Sequence, residues 1–166
     1  MDNEDADSSR LESRPPTMAD LVKLCRHLNT EGALYLVVGG MAIIQHGYTR
    51  ATEDVDLLVE DSRENQAKVY KAMESLPDKA IQELGDDDLR DYVVVRVADE
   101  IVVDLMTAAC GIAYPEASQA VEIITIDGVP IPMATPRLLL RMKQTLRDKD
   151  AVDRVFLQNK IAGLDI

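Results

Sequence analysis

A chain of 166 residues can bury one core of ordinary size, and 46% apolar residues suit a globular protein, but aromatics at 4% and no tryptophan make that core aliphatic and leave few base-stacking platforms. A formal net charge of -12 sets the surface against polynucleotides, whose binding rests on Lys and Arg releasing counterions, so a nucleic-acid partner would need a local basic patch. Cys25 and Cys110 lie far apart without CxxC spacing, which favours reduced thiols over a disulfide frame or zinc site. No apolar run approaches the roughly 20 residues of a membrane span and no charged-then-apolar leader opens the chain, so a cytoplasmic protein without membrane contact is expected.

Residues 1–17 are polar and acidic with a Pro pair, the composition of a flexible tail. Residues 18–166 then form the single expected domain. Met18, Leu21, Val22, Leu24, Cys25 and Leu28 recur at helical spacing, with Thr17 as N-cap and Gly32 as stop. ALYLVVGG reads as a strand ending in two glycines, MAIIQHG as a short helix, and DVDLLVE as a second strand. SRENQAKVYKAMESL follows as an amphipathic helix with Ala67, Val69, Tyr70, Met73 and Leu76 on its apolar side. The polar stretch after Pro77, through Gly85 and Asp86 to Asp88, reads as a solvated loop.

YVVVRVADEIVVDLM supplies two β-runs separated by Ala98, Asp99 and Glu100, and VEIITIDGVPIPMA another pair around the turn dipeptide Asp127-Gly128. The C-terminal part, about 135–162, is helical. Thr135-Pro136 opens a helix carrying Leu138, Leu139, Met142 and Leu146, and a second helix from Asp148 has Ala151, Val152, Val155, Phe156 and Ile161 on its expected buried stripe. Arg137, Arg141 and Arg147 give that region a local basic face or a set of solvated charges. The element order predicts an α/β (α+β) fold with a mixed β-sheet flanked by helices.

Asp-x-Asp occurs at Asp5/Asp7, Asp54/Asp56, Asp86/Asp88 and Asp148/Asp150, so the motif alone carries little. Only Asp54 and Asp56 stand inside a β-run, where Val55, Leu57 and Val59 take the opposite face and the two carboxylates share one. Like charges at that spacing cost stability unless a cation neutralises them, and oxygen-only ligands favour Mg²⁺ or Mn²⁺. Asp104 interrupts IVVDLM in the same way: it either joins the pair as a third metal ligand or pairs with an arginine such as Arg96. Gly39-Gly40, between a strand and a helix fourteen residues before Asp54, lets backbone amides approach an anion.

The string VVGGMAIIQHGYTRATEDVDLLV, with Asp104 on a later strand, resembles the nucleotidyltransferase superfamily that includes DNA polymerase beta, whose signature is Gly-Gly or Gly-Ser, a spacer, then Asp-x-Asp. Arg50-x-Thr52-x-Asp54-Val55-Asp56 and KQTLRDKDAVD are similar to the small bacterial nucleotidyltransferases related to abortive-infection toxins and minimal nucleotidyltransferases. The resemblance runs from about Ala33 to Ile161. It implies transfer of an NMP group from an NTP such as ATP to a hydroxyl, with release of pyrophosphate. In this scheme Asp54 and Asp56 hold two Mg²⁺ ions, Asp104 completes the metal site and takes the acceptor's proton, and Gly39 and Gly40 bind the triphosphate. Arg50 and Lys143 are either phosphate ligands or surface cations, Thr52 a polar contact near the metals or a strand residue, and His46 a polar contact or a structural hydrogen bond. The resemblance leaves the acceptor open among a small molecule, a protein and tRNA. It also leaves a second class of function, a catalytically inert interaction module acting as a homo-oligomer or a toxin-antitoxin component.

Overall fold

The computed structural model describes residues 12–145 and 147–163. The loose segment expected over 1–17 therefore falls largely outside the described residues, as does Leu146; within them, Ser13 donates to the Asp99 carbonyl at 2.6 Å and the Arg14 amide to the Glu100 carbonyl at 2.9 Å. Helix α1 (Met18–Thr30) starts at Thr17 through a capping box with Asp20, and Gly32, at φ +69°, lets the chain leave it. Strand β1 (Tyr35–Val38) leads directly into α2 (Gly39–Gln45), whose N-cap, Val38, offers no side-chain acceptor to the first amides. Strand β2 (Asp54–Val59) and α3 (Arg63–Met73) complete the first half.

The second half supplies β3 (Val94–Ala98), β4 (Val102–Met106), a small hairpin of β5 (Ala108–Ala109) and β6 (Ile112–Ala113), and β7 (Val121–Ile126) with β8 (Val129–Ala134). Asp127 and Gly128 both take positive φ, 50° and 78°, as a tight hairpin turn requires. The main sheet has six strands in the order β3-β4-β2-β1-β8-β7. β2 runs parallel to β4 and β1 to β8, while the other neighbours are antiparallel, so the expected mixed sheet is present. All four β1 residues are buried, as a central strand demands, whereas β3 at the edge alternates, with Val95 and Val97 inside and Val94, Arg96 and Ala98 outside. The expected site lies on that open face.

Several expected details are corrected. The polar stretch after Pro77 is ordered by a 3-10 turn (Ala80–Glu83) that buries Ile81 and by α4 (Asp88–Asp91), which buries Leu89; Asp99, itself buried, accepts from the Asp78, Ala80 and Glu100 amides at 3.0, 2.9 and 2.7 Å. Ala67 of α3 is exposed and Leu76 lies beyond its end; Asn65 and Gln66 take the buried places, Asn65 because its amide bonds the backbone of Leu34 and Glu60. A short helix α5 (Tyr114–Ala117) precedes β7.

The C-terminal pair is α6 (Pro136–Met142), capped by Thr135, and α7 (Asp148–Ile161). Because α6 ends at Met142, Arg147 does not share a helix with Arg137 and Arg141. It is the N-cap of α7. The stripe expected on α7 is also out of register: Val152 and Val155 are 54% and 58% exposed, while Asp150, Asp153, Phe156 and Leu157 are buried. Hydrophobicity misreads this helix because two of its inward positions hold acids that find cations inside.

Candidate active site

Register between neighbouring strands assembles the site. Val38 pairs with Asp56, Asp56 with Asp104, and Asp104 with Arg96, so one row across β1, β2, β4 and β3 carries two acids and an arginine. Asp54, two residues along β2, lies on the same face. Asp54, Asp56 and Asp104 each present a carboxylate oxygen within 4.8 Å of the others. The convergence expected from Asp104 on a strand next to β2 is thus realised. So is the alternative partner: Arg96 donates from Nε to Asp104 Oδ1 at 2.9 Å and from Nη2 to Asp104 Oδ2 at 3.0 Å, and Nη2 also reaches Asp54 Oδ2 at 3.2 Å.

One arginine does not balance three carboxylates. Among the described residues no ion pair reaches Asp56, and burial followed by repulsion from Asp54 and Asp104 pushes its carboxyl up to about 7. Burial and then Asp104 also raise Asp54. All the donor atoms are carboxylate oxygens, the set that suits Mg²⁺ or Mn²⁺, and the residual negative charge is what such an ion neutralises.

Gly39 is a geometric necessity. Its φ is +68°, and a Cβ there would fall 2.7 Å from Asp56 Cγ and closer still to Oδ2. The glycine backbone therefore lies against the carboxylate, at the start of an uncapped helix whose first amides lack intrahelical partners. At Gly40 a Cβ would meet Thr52 Oγ1 at 2.6 Å and Arg50 Nη2 at 3.1 Å. Thr52 Oγ1 donates to the Asp54 carbonyl at 3.1 Å, which fixes the loop entering β2.

A cleft of about 420 Å³ opens over this row. Its polar end holds Asp54, Asp56, Asp104, Arg96, Lys143, Arg147 and Lys149, and its apolar wall includes Val94, Met106, Ala109, Leu139 and Met142. Of the candidates read from sequence, Gly39, Lys143 and the three acids line it. Lys143 is buried and its ammonium lies 3.1 Å from Asp150 and 3.3 Å from Asp153. Arg50 donates to Asp153 at 3.1 Å. Asp150 further accepts from Arg147 and the Thr145 hydroxyl; burial would raise it, but these bonds from Thr145, Arg147 and Lys143 outweigh that and hold it down to about 2. The network ties α7 to the floor of the cleft. His46 makes the structural bond, with Nε2 2.9 Å from the Ala134 carbonyl.

The β5–β6 hairpin and Lys149 were not read from sequence as parts of the site. The hairpin's signal was Cys110-Gly111 between short apolar pairs, two residues that both adopt positive φ, 47° and 77°. Cys110 Sγ lies 3.2 Å from the Met142 carbonyl, which closes the cleft rim, while Cys25 is buried with its thiol pushed up to about 12 by desolvation. Among the described residues no helix is long and apolar enough to cross a membrane.

No protein-family model and no curated protein sequence matches the chain. Solved structures do. The lincomycin-bound lincosamide antibiotic adenylyltransferase LnuA superposes with a TM-score of 0.57 at 15% identity, over 89% of this chain and 99% of that one. ANT(2")-Ia in complex with adenylyl-2"-tobramycin superposes with a TM-score of 0.53 at 14% identity, over 85% of this chain and 89% of that one. At such identities the likeness speaks for architecture, and it extends over nearly the whole length of both neighbours: the chain has the nucleotidyltransferase fold.

Proposed function

We propose that the protein is a metal-dependent nucleotidyltransferase that moves an NMP group from an NTP to a hydroxyl of a small-molecule acceptor. The observation that carries this reading is the meeting of Asp54, Asp56 and Asp104 within 4.8 Å on adjacent strands, with no ion pair to Asp56 among the described residues. Asp54, Asp56 and Asp104 would hold Mg²⁺ or Mn²⁺, which would supply neutralisation of the charge that develops in phosphoryl transfer.

The chain's own residues do the rest. Gly39 and Gly40 bring backbone amides to the triphosphate at the start of α2, and Lys143, fixed by Asp150 and Asp153, adds positive charge at the cleft floor. Asp104 accepts the proton of the acceptor hydroxyl as its oxygen bonds to the α-phosphorus. The bond from that phosphorus to the bridging oxygen breaks, and pyrophosphate leaves with the electron pair. Arg50 acts through Asp153, and Thr52 through the loop it fixes.

A small-molecule acceptor is favoured because the apolar lining of the cleft is aliphatic and offers no base-stacking platform, and because the formal net charge of -12 disfavours tRNA. Two structural neighbours with antibiotics or an adenylylated antibiotic bound are consistent with that choice. The reaction draws on the cytoplasmic NTP pool. An inert module has less support: Arg96 offsets part of the acid charge, yet among the described residues no ion pair reaches Asp56.

The test is Mg²⁺-dependent binding of each labelled NTP, followed by turnover in the presence of candidate hydroxyl acceptors. Asp54→Ala and Asp56→Ala are expected to lose binding and Asp104→Asn to lose turnover by at least about a hundredfold. Binding at wild-type level in the first two variants would overturn the reading.

A further inference from the structure

The acid row already carries a cation of the chain's own. Arg96, on edge strand β3 directly across from Asp104, forks both Asp104 oxygens and shares Nη2 with Asp54 Oδ2. The two acids it bridges belong to the set that would ligate a divalent ion, so the guanidinium and such an ion would compete for the same carboxylates. A guanidinium and a dication at contact distance repel strongly even with the screening of water, and more so in a partly dry cleft.

Arg96 also has room to leave. Its side chain is 63% exposed although its head group is bonded, and it rises from the open face of the outermost strand between the exposed Val94 and Ala98. Of the other cations that line the cleft, Lys143 is held by two buried acids and Arg147 by Asp150. Arg96 is thus the cation whose partners are site carboxylates and whose stem is not packed.

We propose that Arg96 is a positioning residue that holds Asp104 and Asp54 together and yields them to a divalent cation, so that arginine and metal occupy the acid row in alternation. This rests on the metal-dependent reading above. Cation affinity is then set by an exchange of ions, and Asp104 and Asp54 stay aligned between turnovers.

The experiment is titration of the full chain with Mn²⁺, without nucleotide, following the free-ion electron paramagnetic resonance signal in wild type, R96Q and R96K. R96Q is expected to bind Mn²⁺ about tenfold more tightly than wild type, the scale of a lost charge-assisted bond, with R96K between the two because it keeps the charge without the fork. Equal or weaker binding by R96Q overturns the inference. In case R96Q fails to fold, the Arg96 Nε–H resonance of wild type is followed as Mg²⁺ is added. A protected, bonded signal that shifts and becomes exchange-labile supports alternation; one that stays unchanged at saturating Mg²⁺ overturns it. If Mn²⁺ binds to neither protein, the metal-dependent reading falls and takes this one with it. If it binds both equally, the role of Arg96 alone falls.

Discussion

Replacing Gly39 by alanine tests whether the glycine exists to let the backbone lie against Asp56. Two costs are legible. The φ of +68° puts an L side chain in the left-handed region, which costs about 1–2 kcal/mol. The new Cβ would stand 2.7 Å from Asp56 Cγ, so the carboxylate has to rotate or β2 has to shift, an overpacking cost of about 1–3 kcal/mol. Gly39→Ala is therefore expected to lower unfolding free energy by roughly 2–5 kcal/mol and to weaken Mn²⁺ binding, because Asp56 leaves its place in the acid row. Urea denaturation of Gly39→Ala, Asp56→Gly and the double variant separates the two. With no side chain at position 56, only the cost of about 1–2 kcal/mol from the backbone angle survives. The same loss in both backgrounds, or Mn²⁺ affinity at wild-type level in Gly39→Ala, would refute the close-approach argument.

Asp56 also predicts a pH dependence. Its carboxyl is pushed from the ordinary 3.8 to about 7 in the fold, so its contribution to stability is present at low pH and is lost as pH rises through that window. Asp56→Asn, which does not titrate, should gain on wild type by about 2–3 kcal/mol between pH 5 and pH 8 in EDTA, measured by urea denaturation, and Mg²⁺ should shrink that gap; an equal difference at both pH values sinks the prediction. Lys143→Met removes the ammonium between Asp150 and Asp153 and should cost about 3 kcal/mol, since Arg147, Thr145 and Arg50 still serve the two acids. Adding Asp150→Asn and Asp153→Asn should recover much of that loss in a chemical-denaturation series, and no recovery would place the cost elsewhere.

Periodicity and punctuation were readable wherever local physics dominates. Thr17 and Gly32 bound α1 as capping and left-handed backbone require, Asp127-Gly128 turns β7 into β8, and Asp54 and Asp56 share a strand face because strand side chains alternate. The reading failed where a tertiary partner changes what a residue prefers. Val152 and Val155 are left in solvent because Lys143, on the segment before α7, and Arg50, distant in sequence, make Asp150 and Asp153 the better inward residues of α7. Likewise Asn65 is buried because Leu34 and Glu60 present backbone groups to it. The order after Pro77 depends on Asp99, a turn residue about twenty positions away whose carboxylate collects amides no local pattern announces.

By itself, then, the amino-acid order determined the strand-helix-strand frame, the two glycines where β1 passes into α2 and the placing of Asp54 and Asp56 on one side of β2, since each follows from backbone preferences within a few residues. Only tertiary structure decided that β4 lies beside β2 with Asp104 level with Asp56, and that β3 brings Arg96 level with Asp104. Strand register is a property of pairs, set by which faces must be buried against which neighbours, and it converted scattered acids into a cluster with an arginine across it.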